Sequence, residues 1–99
     1  MAVIFEWDED KRLSNIVKHK ADFDDAPEMF EGPMMVKSDL RHDYGEDRQV
    51  GYGLIKNRVM VVVFTEPQPG VIRVISLRKA SKYEKEKFEK ALRNRLGGH

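Results

Sequence analysis

Residues 59–64 read Val-Met-Val-Val-Val-Phe, apolar at odd and even positions alike. A strand with one wet face alternates apolar and polar side chains, so a run apolar on both parities predicts a central strand covered on both faces. Outward from it the strand pattern repeats. Met35 to His42 and Arg48 to Ile55 precede it, and Val71 to Leu77 follows. The connections Asp43-Tyr44-Gly45, Lys56-Asn57-Arg58 and Pro67-Gln68-Pro69-Gly70 are short and made of turn formers, which predicts antiparallel hairpins and hence a meander.

Before the meander the periodicity changes. Val3, Phe5 and Trp7 alternate as a short strand, and Asp8 then offers a capping oxygen to a helix over about Asp8 to Lys18. Leu13, Ile16 and Val17 fall at i, i+3 and i+4, an apolar stripe expected to lie on the sheet. Phe23 to Phe30 reads as a second, short helix capped by Asp24, with Pro27 in the first turn, where its missing N–H costs nothing. At the other end Ser81-Lys82-Tyr83-Glu84 is a capping box, in which Ser81 and Glu84 satisfy each other's backbone N–H groups. The helix it opens carries Phe88, Ala91, Leu92 and Leu96 on its apolar face. The expected fold is therefore α/β of the α+β kind. It has two N-terminal helices, an antiparallel β-meander and a C-terminal helix in one compact domain over residues 1–96, with 97–99 as a flexible tail.

Ninety-nine residues allow one small core, and 40% hydrophobic residues suffice to order it. The absence of cysteine excludes disulfides and thiolate zinc sites and suits a reducing compartment, so the cytoplasm is expected. The longest apolar run is too short to span a bilayer, and the N-terminus lacks a basic region and an apolar signal core, so no membrane role is expected. Residues 1–55 hold seven Lys/Arg against 13 Asp/Glu, whereas residues 56–99 hold 11 against four. Clustered cations in the second half point to a phosphate-bearing partner or, more plainly, to a solvated helix face.

No P-loop, dinucleotide fingerprint, zinc site or nucleophile elbow occurs. The three histidines, His19, His42 and His99, share no spacing with carboxylates that would build a metal site, so neither metal nor cofactor is expected. The remaining candidates are basic. Arg73 interrupts the apolar run Val71 to Ile75 and must reach an open face or a carboxylate such as Glu46. Arg78 and Lys79 follow in what reads as the turn before the capped helix, where backbone N–H groups favour an anion. Placed there, Arg78 is expected to contribute little to stability. Strict parity sets Arg73 and Arg78 on opposite faces unless the strand ends near Ser76. Lys18 and His19 close the first helix, where its dipole stabilises cations.

These fragments together resemble the BrnT toxins of the wider RelE-like group. The resemblance runs from Phe5 to about Glu89. It comprises Phe5-Glu6-Trp7-Asp8 with Lys11, Asn15 and Lys18-His19; Phe23, Ala26 and Phe30; Glu46-Asp47-Arg48 with Gly51; and Ile72 to Ala80 before the helix carrying Glu84. Leu77 replaces the family's usual Ala, and Phe88 its common Tyr. The resemblance implies a type II toxin that cleaves messenger RNA without a metal and inhibits translation. Its partner would be a BrnA-like antitoxin whose ribbon-helix-helix part alone meets operator DNA, which allows a toxin–antitoxin heterotetramer. In that reading Arg73, Arg78, His19 and Glu46 are the catalytic candidates, and Lys18, Arg48, Lys79 and Lys82 the RNA-binding ones. Glu84 is left to its capping box. The rival reading is a non-catalytic RNA- or protein-binding module acting as co-repressor.

Overall fold

The computed structural model describes residues 3–40 and 45–97. Arg41, His42, Asp43, Tyr44, the side chain of Leu96 and the tail residues Gly98 and His99 lie outside that description. The chain order is β1 (Ile4–Glu6), α1 (Glu9–His19), a 3-10 turn (Phe23–Asp25), α2 (Ala26–Glu31), β2 (Met35–Ser38), β3 (Gln49–Ile55), β4 (Arg58–Gln68), β5 (Val71–Lys79) and α3 (Lys82–Gly97). The five strands form one sheet in the order β1-β5-β4-β3-β2. β2 to β5 are the antiparallel meander the turns predict, and β4, the run at 59–64, is its centre. β1 joins the far edge parallel to β5, pairing Ile4 with Val71 and Glu6 with Arg73. That pairing is long-range and has no local signal.

Turn chemistry sets the two tight hairpins. Lys56 and Asn57 both take positive φ in the two-residue link between β3 and β4, and Glu28 secures it by accepting from the Lys56 N–H at 2.7 Å. β4 runs on to Gln68, further than its apolar run, so that Pro69-Gly70 alone makes the next turn, with Gly70 at φ +83°.

One sheet face carries Val62, Phe64, Ile72, Val74 and Leu77 and packs on Phe23, Ala26 and Met29. Edge-to-face contacts of Phe30 with Phe5 at 5.2 Å and with Phe64 at 5.1 Å tie α2 to β1 and β4. Gly51 belongs to this layer because a Cβ there would stand 2.6 Å from the Met34 sulfur. The second helical segment is split. Its cap is Asp22, which accepts from the Asp24 N–H at 3.0 Å, in place of the expected Asp24.

α1 departs most from its reading. Asp8 caps it as expected, accepting from the Lys11 N–H, but Leu13 is half-exposed and Val17 is 83% exposed. The buried residue is Asn15. Its amide nitrogen donates to the Leu77 carbonyl at 2.7 Å and to the Ala21 carbonyl at 2.9 Å, and its oxygen accepts from the Leu77 N–H at 3.2 Å. β1 pairs with β5 only over Val71 to Arg73, so beyond it the edge of β5 has no strand neighbour. Asn15 fills that place. Residues two away on a helix point about 160° from it, so burying Asn15 turns Leu13 and Val17 outward.

β5 contains a bulge. Val63 pairs with Ser76 but Phe64 pairs with Val74, leaving Ile75 as an extra residue. Val74 and Leu77, three apart, are thereby both buried in one core.

Removing the Asn15 amide leaves buried backbone groups of Leu77 and Ala21 without partners. Asn15→Ala is therefore expected to cost about 3 kcal/mol, as for loss of a buried multiple hydrogen bonder. The check is the urea midpoint, with Leu13→Ala and Val17→Ala expected to lie within about 0.5 kcal/mol of the parent as exposed sites.

Candidate active site

The bulge decides which side chains share a face. Arg78 pairs with Val61, Ser76 with Val63, and Arg73 with Thr65, so all three project to the face opposite the helical core. Strict parity would have separated Arg73 from Arg78, and the early strand end that was the condition for their sharing a face does not occur. β5 continues through Lys79, and Ile75 resets the parity within it. Arg78 is consequently a strand residue and not part of the turn.

On this face the register builds two rows across four strands. One row is Lys37, Val50, Val63 and Ser76, and the next is Met35, Tyr52, Val61 and Arg78. All of these but Met35 floor an open groove of about 680 Å³, which Asp39, Glu84 and His19 also line. A second groove of about 290 Å³ runs beside it along α1, lined by Lys11, Ser14, Lys18, His19 and Ser76 among others. His19 and Ser76 belong to both. Their place follows from the Asn15 clamp, since Lys18 and His19 at i+3 and i+4 share the helix face of Asn15, next to the edge of β5.

Arg78 is held by Glu84. Nη1 donates to Oε1 at 2.8 Å and Nη2 to Oε2 at 2.9 Å, the fork geometry that fixes both planes. The same carboxylate closes the capping box: it accepts from the Ser81 N–H at 2.8 Å, while the Glu84 N–H donates to Ser81 Oγ at 3.1 Å. The Arg78 guanidinium first, and then the Ser81 N–H, pull the Glu84 carboxyl down to about 2 against the opposing effect of burial. Arg78 is thus paired within the strand and is not the unattached turn residue expected, so its removal is anticipated to cost more than an exposed turn site would.

The other candidates stand elsewhere. Arg73 pairs with Glu6 of β1 at 3.2 Å, not with Glu46, because β1 and not β3 is its neighbour. It lies outside the groove. Glu46 pairs with Arg48 at 3.1 Å, just before β3 and across β4 from β5. Lys79 pairs with Met60 and so faces away from Arg78, and Lys82 is exposed at the start of α3. Of the residues assigned to catalysis or RNA binding, Arg78, His19 and Lys18 reach the two grooves. Lys37, Tyr52, Asp39 and Ser76 reach them too and were missed. Their only signal is cross-strand register, which the 39–48 connection leaves undetermined in sequence. Among the described residues no three His, Asp or Glu side chains converge as metal ligands, and no helix is long and apolar enough to cross a membrane.

Fold and groove together define a small α+β protein whose open face brings Arg78, Lys37 and His19 to one groove beside Asp39 and Glu84. The family model described as the ribonuclease toxin, BrnT, of type II toxin-antitoxin systems matches residues 7–84. Among solved structures, the 1.1 Å crystal structure of the Brucella abortus ribonuclease toxin, BrnT, is similar with 33% sequence identity and a TM-score of 0.61, covering 83% of this chain and 99% of that one. No curated protein matches. The chain belongs to the BrnT family of ribonuclease toxins of type II toxin-antitoxin systems, as the sequence resemblance implied. Such a system supplies an antitoxin as partner and RNA as substrate.

The lowered Glu84 carboxyl gives stability a pH dependence of known sign. A depressed folded value favours the native state above the ordinary carboxyl range near 4.5 and loses that contribution as pH falls from there toward 2. About 2 kcal/mol is expected to disappear over this window. Glu84→Gln, which keeps a capping oxygen but no charge, should flatten that part of a pH series of thermal midpoints.

Proposed function

We propose that this protein is a metal-independent endoribonuclease that cleaves messenger RNA by internal attack of a ribose 2′-hydroxyl, with Arg78 at the centre of its site. The observation that carries the reading is the Arg78 guanidinium, fixed by Glu84 over a groove that also receives His19, Ser76 and Lys37. In the reaction the 2′-oxygen bonds to phosphorus and the P–O5′ bond breaks, leaving a 2′,3′-cyclic phosphate and a 5′-hydroxyl. One group takes the 2′-OH proton and another delivers a proton to the leaving oxygen. Charge accumulates on the non-bridging oxygens meanwhile, and a guanidinium, always protonated and planar, suits them.

Glu84 is a positioning residue in this scheme. It orients the guanidinium and, ionised throughout the physiological range, keeps it from rotating away. His19 is the proton carrier at the groove, as acid or base, being the groove's imidazole. Lys18 and Lys11 along α1 and Lys37 on β2 hold the flanking phosphates as diffuse cations. Arg73, Glu46 and Arg48, paired away from the groove, serve the sheet and its rim. The natural inhibitor is a BrnA-like antitoxin laid over the groove, which would block Arg78 and His19 together.

The test is cleavage of a defined RNA by the purified protein. Activity should persist in a strong chelator, yield a cyclic phosphate end, and vanish when the nucleotide before the scissile bond is 2′-deoxy. Loss on chelation with rescue by a divalent ion would overturn the mechanism, and no cleavage at all by a folded, RNA-binding protein would favour the co-repressor module.

Arg78→Ala should lower the rate at least a hundredfold, of order 3 kcal/mol of transition-state stabilisation as for an oxyanion donor. Arg78→Lys should regain part of it, keeping the charge without the fork. Because Arg78→Ala also leaves Glu84 unpaired, about 1–2 kcal/mol of stability should go with it, so rates are to be compared well below each variant's unfolding midpoint.

A further inference from the structure

A third concavity continues the groove past Glu84. It is a cleft of about 250 Å³ between β2, β3 and the start of α3, and it shares Lys37, Tyr52 and Glu84 with the groove that holds Arg78. Its distinctive walls are two aromatic rings. Tyr52 stands in the sheet row of Arg78, and Tyr83 stands one residue before Glu84 on α3. Each carries a cation, with Lys37 Nζ 5.5 Å from the Tyr52 ring centre and Lys87 Nζ 5.6 Å from that of Tyr83. Met35 and Phe88 supply the apolar remainder.

Tyr83 is 69% exposed. Its neighbours Lys82, Glu86 and Lys87 on the solvent side of α3 are charged and also exposed, and packing gives no reason for a large ring there. We propose that the cleft between Tyr83 and Tyr52 is a nucleobase subsite, which takes one unstacked base of single-stranded RNA beside the phosphate held at Arg78. The inference rests on the ribonuclease reading of the groove and extends it to a residue with no part in the chemistry. A base needs a flat apolar surface for its ring and cations for the phosphates on either side, and the cleft offers both. Its size, below the range of about 300–1,000 Å³ usual for larger ligands, suits one base. Of the polar groups on its wall, Ser81 and Glu84 are already engaged with each other and with Arg78, which leaves the Tyr52 and Tyr83 hydroxyls and the Lys37 and Lys87 ammonium groups at its rim. Stacking on the rings is the main source of recognition, and the site takes bases in the order in which they stack.

The experiment measures binding of a 2′-O-methyl oligoribonucleotide, which lacks the nucleophile and is not cleaved, alongside copies with one abasic position each. One abasic position should weaken binding to the parent protein about tenfold, within the 5- to 150-fold that stacking of one base is worth. Tyr83→Ala should bind the intact strand as weakly as the parent binds that abasic copy, with no further loss on combining the two. Tyr83→Phe, which keeps the ring, should restore most of the affinity. The ring is exposed, so the unfolding midpoint of each variant should match the parent. Equal binding of the intact strand by parent and Tyr83→Ala would overturn the subsite while cleavage by the parent leaves the ribonuclease reading standing. Loss of antitoxin binding with RNA affinity unchanged would assign the rings to the protein partner and likewise overturn it. Failure of the parent to bind or cleave RNA would remove the ribonuclease reading and the subsite together.

Discussion

The amide of Asn15 is the contact on which the arrangement of this molecule depends. β1 is too short to pair with the whole of β5, and the backbone at Leu77 would be a buried, unsatisfied edge without a partner. A side-chain amide has one acceptor and two donors, enough to serve both backbone groups of Leu77 and still reach Ala21. The helix thus takes the part of a missing strand. This sets its rotation, and the same rotation that exposes Leu13 and Val17 carries Lys18 and His19 to the mouth of the groove. Burial of one polar residue takes precedence over burial of two aliphatic ones here, because three orphaned backbone groups at about 1–3 kcal/mol each match or exceed the gain of about 1.5–3 kcal/mol from each of Leu13 and Val17.

The bulge at Ile75 is the second constraint, and it acts from the core outward. Val74 and Leu77 can both enter the core only if one residue between them is extra. The same extra residue places Arg73 and Arg78 on the open face. A packing requirement on one side of the strand therefore positions a guanidinium on the other, a common arrangement next to functional sites.

Glu84 joins the helix start to the sheet. One carboxylate terminates α3 through Ser81 and fixes Arg78, so the local signal that begins the helix also orients the site. Phe88 anchors the same helix one turn further on. It is 2% exposed, so its ring serves as packing, and a hydroxyl added there would need a partner of its own.

Much of the architecture was legible in sequence because it is written in local chemistry. The run at 59–64 defined a central strand, Lys56-Asn57 and Pro69-Gly70 defined hairpins, Asp8 started α1, and the capping box started α3. The family followed from short fragments in a fixed order. The site was legible only in part. Arg78, His19 and Lys18 could be singled out as basic residues in suggestive places, but Lys37, Tyr52 and Asp39 could not, since they meet Arg78 only through the fold of the sheet. Arg73 was assigned to Glu46 because no local pattern announces that β1 returns to pair beside β5. The charge polarity along the chain also dissolves on folding, as the grooves draw Lys11, Lys18 and Lys37 from the acidic half. Sequence alone determined what each segment becomes, since turns, caps and periodicity act within a few residues. Tertiary structure alone decided which segments meet and which face of each is turned to the groove, since one buried amide and one inserted residue override the periodicity around them.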